Sequence, residues 1–136
     1  MPVQSDAEVR EVLGLDRIAV VGCSSTAGKA AHDIPKYLLE HGYDIVPVNP
    51  HADEIFGREV VDSLSAVEGP IDVVDVFRPS EELSGIVDEV LAREDVTALW
   101  TQLDIRDREA TDRAEDAGVV VVEDRCMKVE HGRLCG

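Results

Sequence analysis

Arg17-Ile-Ala-Val-Val21-Gly22-Cys-Ser24-Ser25-Thr-Ala-Gly28-Lys29 is the stretch on which the fold turns. Ile18 to Val21 is a short apolar run rich in β-branched residues. It lacks the apolar–polar alternation of a half-exposed strand, so it reads as a strand buried on both faces of a parallel sheet. It runs into a turn holding Gly22, Gly28 and the hydroxyls of Ser24, Ser25 and Thr26. Helical periodicity follows, with Ile34, Tyr37, Leu38 and His41 on one face and Gly42 to close it.

Outward from this unit the same grammar repeats. Upstream, Ser5 and Glu8 form a capping box for a short helix with Val9, Val12 and Leu13 on its apolar stripe, ended by Gly14. Downstream, Tyr43 to Val48 is a second strand, ending at Asn49-Pro50, and 51–69 is irregular with a short helix centred on Leu64. Ile71 to Phe77 is a third strand, broken by Arg78-Pro79, and Ser80 caps a helix carrying Leu83, Ile86, Val87, Val90 and Leu91. Val96 to Trp100 and Val119 to Val122 are the fourth and fifth strands, around a helix from Asp107 to Ala117. Cys126 to Gly136 is a terminal excursion that packs back on the sheet.

Apolar strands alternating with helices predict one three-layer α/β domain over residues 1–136, a Rossmann-like doubly wound parallel sheet of about five strands. Right-handed crossovers leave 3-2-1-4-5 as the preferred order and the flavodoxin-like 2-1-3-4-5 as its alternative. In either, ligands bind beyond the carboxyl ends of the strands, which nominates 22–30, 48–50, 77–80, 100–106 and 123–126.

Composition narrows the function. The 136 residues carry 29 Asp and Glu against 13 Lys and Arg, a net charge of −16 spread over every segment. Such a chain lacks the cations that neutralise a nucleic-acid backbone. The acidity reads as a solvation adaptation to a cytosol of very high salt, where a Debye length of about 3 Å at 1 M makes self-repulsion cheap. No apolar run is long enough to span a bilayer. MPVQSDAEVREV has no basic or apolar leader character, and Cys23, Cys126 and Cys135 are odd in number and scattered. A reducing cytoplasm is the expected location.

The 22–29 turn offers backbone donors, hydroxyls and Lys29 beside a helix N-terminus, which together suit an anion. It is not a P-loop, because five residues separate Gly22 from Gly28 and Ala30 stands where a magnesium-binding hydroxyl belongs. Nor is it a dinucleotide fingerprint: Ser24 replaces the second glycine, and the second strand ends in Val48-Asn49-Pro50 without an acid.

Six motifs in order carry a resemblance: Val-Val-Gly22-Cys-Ser24, Pro35-Lys-Tyr37-Leu, His41-Gly-Tyr43-Asp-Ile-Val-Pro47-Val-Asn49-Pro50, Asp75-Val-Phe77-Arg78-Pro79, Trp100-Thr-Gln102-Leu, and Asp124-Arg-Cys126-Met-Lys-Val-Glu-His131. From Asp6 to Leu134 the chain resembles the stand-alone coenzyme A (CoA)-binding proteins, which are similar to the N-terminal CoA-binding domain of the succinyl-CoA synthetase α subunit and of ADP-forming acyl-CoA synthetases. The resemblance implies CoA or an acyl-CoA as ligand. It implies Gly22, Ser24 and Ser25 against the phosphates with Lys29 nearby, and Val48, Asn49 and Pro50 flanking the nucleotide. Phe77, Arg78 and Pro79 would line the adenine side, and Gln102 and Ile105 the path of the pantetheine. The family often has glycine where Ala31 and Asp104 stand.

Catalytic residues are not indicated. Cys126, followed by His131 and preceded by Asp124 and Arg125, is the one candidate for thiol chemistry, against the simpler reading of a small packing residue. Cys126, His131 and Cys135 lack a fourth ligand at metal-site spacing. The chain is therefore expected to be a non-catalytic CoA-binding module, alone, as a homodimer, or beside a synthetase-like partner chain. Alternatives are a nicotinamide-nucleotide oxidoreductase and an interaction subunit of a synthetase-like complex.

Overall fold

The computed structural model describes residues 5–135. Residues 1–4, which head the acidic N-terminal segment, and Gly136, the end of the terminal excursion, lie outside them. Helix α1 (Asp6–Leu13) is capped as expected, the Ser5 hydroxyl accepting from the Glu8 amide at 3.2 Å and donating to the Glu8 carboxylate at 2.7 Å. Then come β1 (Arg17–Val21), α2 (Ala30–Glu40), β2 (Asp44–Val48), a small hairpin of β3 (Glu54–Ile55) and β4 (Arg58–Glu59), and a 3-10 turn at Leu64–Ala66. The chain continues through β5 (Val73–Val76), α3 (Leu83–Arg93), β6 (Ala98–Thr101), α4 (Arg108–Asp116), β7 (Val120–Val122) and α5 (Met127–Leu134).

The main sheet is five-stranded and parallel, ordered β2-β1-β5-β6-β7. Beyond β2, Val61 makes a single parallel bridge to Val48. With Val61 as a rudimentary edge strand, the sheet reads 3-2-1-4-5 and then β7, the Rossmann-like pattern. The third position is thus filled by Val61, while the 73–76 strand lies beside β1. Counting the five full strands alone gives 2-1-3-4-5. The hairpin that delivers Val61 falls in the stretch expected to be irregular; its strands are two residues each, too short for a period to show.

Two apolar layers flank the sheet. Ile18, Val20, Ile45, Val73, Trp100 and Val122 face α1, α2 and α5, while Ala19, Val74, Val76, Leu99 and Val121 face α3 and α4. Burial on both faces is what the unalternating strand sequences require.

Two local corrections follow from capping. Ser80 opens a 3-10 turn (Ser80–Glu82) and does not cap α3, whose N-cap is Glu82. Asp107 caps α4 from outside, its carboxylate accepting from the Ala110 amide at 3.2 Å. The terminal excursion is a helix, α5. It docks through Met127 and through His131, whose Nδ1 pairs with the Tyr37 hydroxyl at 2.9 Å. Burial and the neighbouring His41 hold His131 below its ordinary pKa.

Candidate functional site

The ends of β1, β2 and β5 open on a cleft of about 270 Å³ lined by Gly22, Asn49, Pro50, Asp62, Arg78 and Glu82, among others. Gly22 sets its floor. Its φ of +87° lies in the left-handed region, and a Cβ there would stand 2.7 Å from Cδ of Arg78. Only glycine meets both demands at once. The Gly22 amide donates to the Val48 carbonyl at 2.8 Å, and Asn49 Nδ2 donates to the Cys23 carbonyl at 2.9 Å. Asn49 Oδ1 accepts from the His51 amide at 2.8 Å, so one asparagine ties both strand ends and the following turn together.

The loop from Gly22 to Lys29 is stitched to α2 by an indirect effect of Pro35. A proline inside a helix has no N–H for the carbonyl four residues back. That carbonyl, of Ala31, accepts instead from the Ser24 amide at 2.9 Å. The Ser24 carbonyl in turn lies 2.8 Å from His32 Nδ1. A carbonyl can only accept, so Nδ1 carries the proton. Further along, the Ser24 hydroxyl accepts from the Thr26 amide at 3.0 Å, and Asp33 Oδ1 accepts from the Gly28 amide at 3.1 Å. The amides of Ser25 and Ala27 bond to no other described group. Lys29 is the exposed N-cap residue of α2 and makes no side-chain cap bond.

The opposite wall, Asp62 to Leu64, belongs to an irregular segment held by two arginines. Arg93 donates to the carbonyls of Leu64, Val67 and Gly69 at 2.8, 3.0 and 2.8 Å. Arg17 donates to those of Glu68 and Pro70, both at 2.8 Å. Glu89 on α3 accepts from the Leu64 amide at 3.2 Å. Across the mouth, the Arg78 guanidinium binds the Glu82 carboxylate through two bonds of 3.1 and 2.6 Å. This pairing raises the Arg78 pKa and lowers that of Glu82.

The structure thus gathers Gly22, Val48, Asn49, Pro50 and Arg78 around one cleft. Ser24, Ser25 and Lys29 form the adjoining loop without lining it. Phe77 and Pro79 flank Arg78; Phe77 is half-buried against the α1, α2 and α5 layer. Gln102 and Ile105 are not brought in. Gln102 is buried, its Nε2 donating to Asp75 at 2.6 Å and its Oε1 accepting from the Met127 amide at 3.3 Å. Ile105 packs on the opposite layer. The acids Asp62, Glu82 and Glu89 line the cleft although the sequence did not mark them; the four-residue spacing of Arg78 and Glu82 was the one available signal.

Cys23 and Cys126 are engaged in packing, while Cys135 is exposed. Cys23 is fully buried, and burial, with Asp75 nearby, pushes its pKa up to about 12. Cys126 is the half-buried N-cap residue of α5 and does not line the cleft. Its sequence neighbours point elsewhere: His131 to Tyr37, Arg125 to Glu130, and Asp124 to the Asp104 amide. Asp104 has a left-handed φ of +68°. Among the described residues there is no group of three or more His, Cys, Asp or Glu placed to hold a metal, and no helix long and apolar enough to cross a membrane.

A parallel sheet flanked by helices, with a glycine-floored cleft at its strand ends and a hydroxyl-bearing loop before a helix, is the architecture of a Rossmann-like α/β protein. The family model for the CoA binding domain matches residues 16–132, so the chain belongs to that family. It is 41% identical over 128 residues to the uncharacterized protein YneT of Bacillus subtilis (strain 168), covering 93% of this chain and 94% of that one. The solved structure of a hypothetical protein from Pyrococcus horikoshii OT3 superposes with a TM-score of 0.94 at 37% identity, over 100% of this chain and 97% of that one. The ADP-forming acetate–CoA ligase of Methanocaldococcus jannaschii is 32% identical over 84 residues, which are 62% of this chain but 12% of the ligase.

Proposed function

We propose that this protein binds CoA or an acyl-CoA as a non-catalytic module. The observation that carries the reading is the Gly22 floor. A left-handed glycine lets backbone approach a ligand where β1, β2 and β5 end, with Arg78 lying across it. The residues fit the ligand in kind. CoA is a polyanion, and the Ser25 and Ala27 amides, the Ser24 and Ser25 hydroxyls, Lys29 and Arg78 are donors suited to phosphate oxygens. Val48, Asn49, Pro50, Phe77 and Pro79 would enclose the nucleotide. The cleft of about 270 Å³ is slightly below the usual span of roughly 300–1,000 Å³ for ligand pockets, so it suits one end of an extended ligand. Gln102 and Ile105 would act behind the pantetheine path by fixing β6 and α5.

Bound CoA would supply a thiol able to carry an acyl group. The chain's own contribution would be to hold and orient it, since Cys23 is kept as an unreactive thiol by burial. Free cysteines and the acidic surface support a reducing cytoplasm of high salt as its setting. A second reading, a nicotinamide nucleotide as ligand, draws on one observation. Asp62 brings a carboxylate to the cleft from the segment bridged to β2, and a carboxylate in that region suits a ribose diol.

Calorimetric titration of CoA in molar KCl, with NAD and ATP as controls, tests the choice. Micromolar CoA binding, weakened by Arg78→Ala or Lys29→Ala and absent for NAD, is the expected result. NAD binding lost in Asp62→Asn would replace the proposal with the second reading. Folded protein that binds neither, but purifies with a synthetase-like chain, would make it an interaction subunit.

A further inference from the structure

The Arg78–Glu82 pair is where the cleft's charge is decided. Arg78 is the one arginine among the described residues lining it, and Asp62, Glu82 and Glu89 also line it. Glu89 is occupied by the Leu64 amide. Glu82 occupies Arg78, through the two-bond fork that guanidinium also offers to phosphate. The Arg78 stem is fixed differently from its head: its Cδ lies against Gly22, while the guanidinium is held by Glu82 with both side chains about half exposed. The head can therefore change partner without moving the stem. Glu82 also has a second place to go. It is the N-cap residue of α3, and its side chain makes no cap bond. A carboxylate is favoured near the free amides of a helix N-terminus.

We propose that Glu82 is a latch: it blocks Arg78 in the free protein, and an anionic ligand enters by displacing it. This rests on the CoA reading and adds a regulated step to it. In the free state the carboxylate supplies the interactions a ligand phosphate would make, which lowers affinity and disfavours anions unable to take both guanidinium bonds. The exchange is one anion for another at Arg78, with no bond made or broken covalently.

The test compares CoA binding by the wild type, Glu82→Gln and Glu81→Gln in molar KCl. Glu81 is exposed on the same 3-10 turn, so its variant removes equal charge without touching Arg78. The latch predicts that Glu82→Gln tightens CoA binding about three- to tenfold, while Glu81→Gln stays within about twofold. It also predicts that the gain disappears when Arg78→Ala is added. Wild-type binding left unchanged or weakened by Glu82→Gln overturns the latch and leaves the CoA reading standing. Binding in none of the three removes the CoA reading and the latch with it. Binding in Glu82→Gln alone supports both.

Discussion

Asp75 is the least exposed carboxyl among the described residues. It sits mid-strand in β5, between Val20 of β1 and Trp100 of β6, with no accessible surface. Oδ1 accepts one bond, from Gln102 Nε2 at 2.6 Å, and Oδ2 has no partner. One neutral donor does not offset the loss of hydration, so burial raises its pKa from 3.8 to about 7 despite the Gln102 bond. The sign follows from proton binding. Between pH 3.8 and about 7 the unfolded chain has released the proton that the folded chain keeps, so stability falls as pH rises through that window and levels off above it. A shift of about three pKa units amounts to about 4 kcal/mol in total, of which about 2 to 3 kcal/mol lies between pH 5 and pH 8.

Asp75→Asn keeps the shape and an oxygen for Gln102 but cannot ionise. Its stability relative to wild type, from chemical denaturation in molar KCl at several pH values, should therefore grow by that amount from pH 5 to pH 8. Every other titrating group, His131 included, is common to both proteins and cancels in the difference. Parallel stability curves would show that Asp75 is ionised and satisfied when buried, and would refute the reasoning.

Three further perturbations address the cleft. Gly22→Ala imposes a side chain on a φ of +87° and against Arg78 Cδ; a loss of about 1 to 3 kcal/mol in thermal or chemical unfolding is expected, with weaker CoA binding. Pro35→Ala restores an N–H that competes for the Ala31 carbonyl; faster hydrogen exchange at the Ser24 amide is expected without loss of global stability, alanine being the better helix residue. Arg93→Lys keeps the charge but not the fork that serves three carbonyls; denaturation should report a loss of about 2 kcal/mol, and no loss would mean the Asp62–Leu64 wall is held otherwise.

What the sequence disclosed, and what it did not, divides along sequence distance. The strand–glycine–helix unit at 17–42 was legible because β1, the turn and α2 each carry a local signal: an unbroken apolar run, glycines and a 3.6-residue period. The cap of α1 was legible for the same reason, since Ser5 and Glu8 are three residues apart. The second wall of the cleft was not. It depends on Arg17 reaching across more than fifty residues and Arg93 across twenty-odd, and no local pattern encodes either reach. Pro35 shows the intermediate case. Its presence inside α2 is plain once the helix is placed, but the partner of the carbonyl it leaves free, Ser24, follows only from the folded turn. Gln102 was placed on the ligand path by resemblance alone; burial between Asp75 and α5 gives it a structural role instead.

The charge distribution bears on how an acidic protein could hold an anion at all. Among the described residues, nine of the ten arginines form ion pairs with carboxylates of the chain itself, which leaves few cations for a ligand at a net charge of −16. On the proposed reading the loop beside the cleft would answer with donors that carry no net charge, the Ser25 and Ala27 amides and the Ser24 and Ser25 hydroxyls, with Lys29 next to them and Arg78 in the cleft itself. At 1 M salt the Debye length is about 3 Å, so the distant carboxylates are screened while a hydrogen bond in contact is not. Salt therefore removes most of the repulsion and little of the attraction. A site built on backbone donors loses less from an acidic surface than one built on a basic patch, and the single arginine proposed to serve it could be held in reserve by Glu82 without emptying the site of donors.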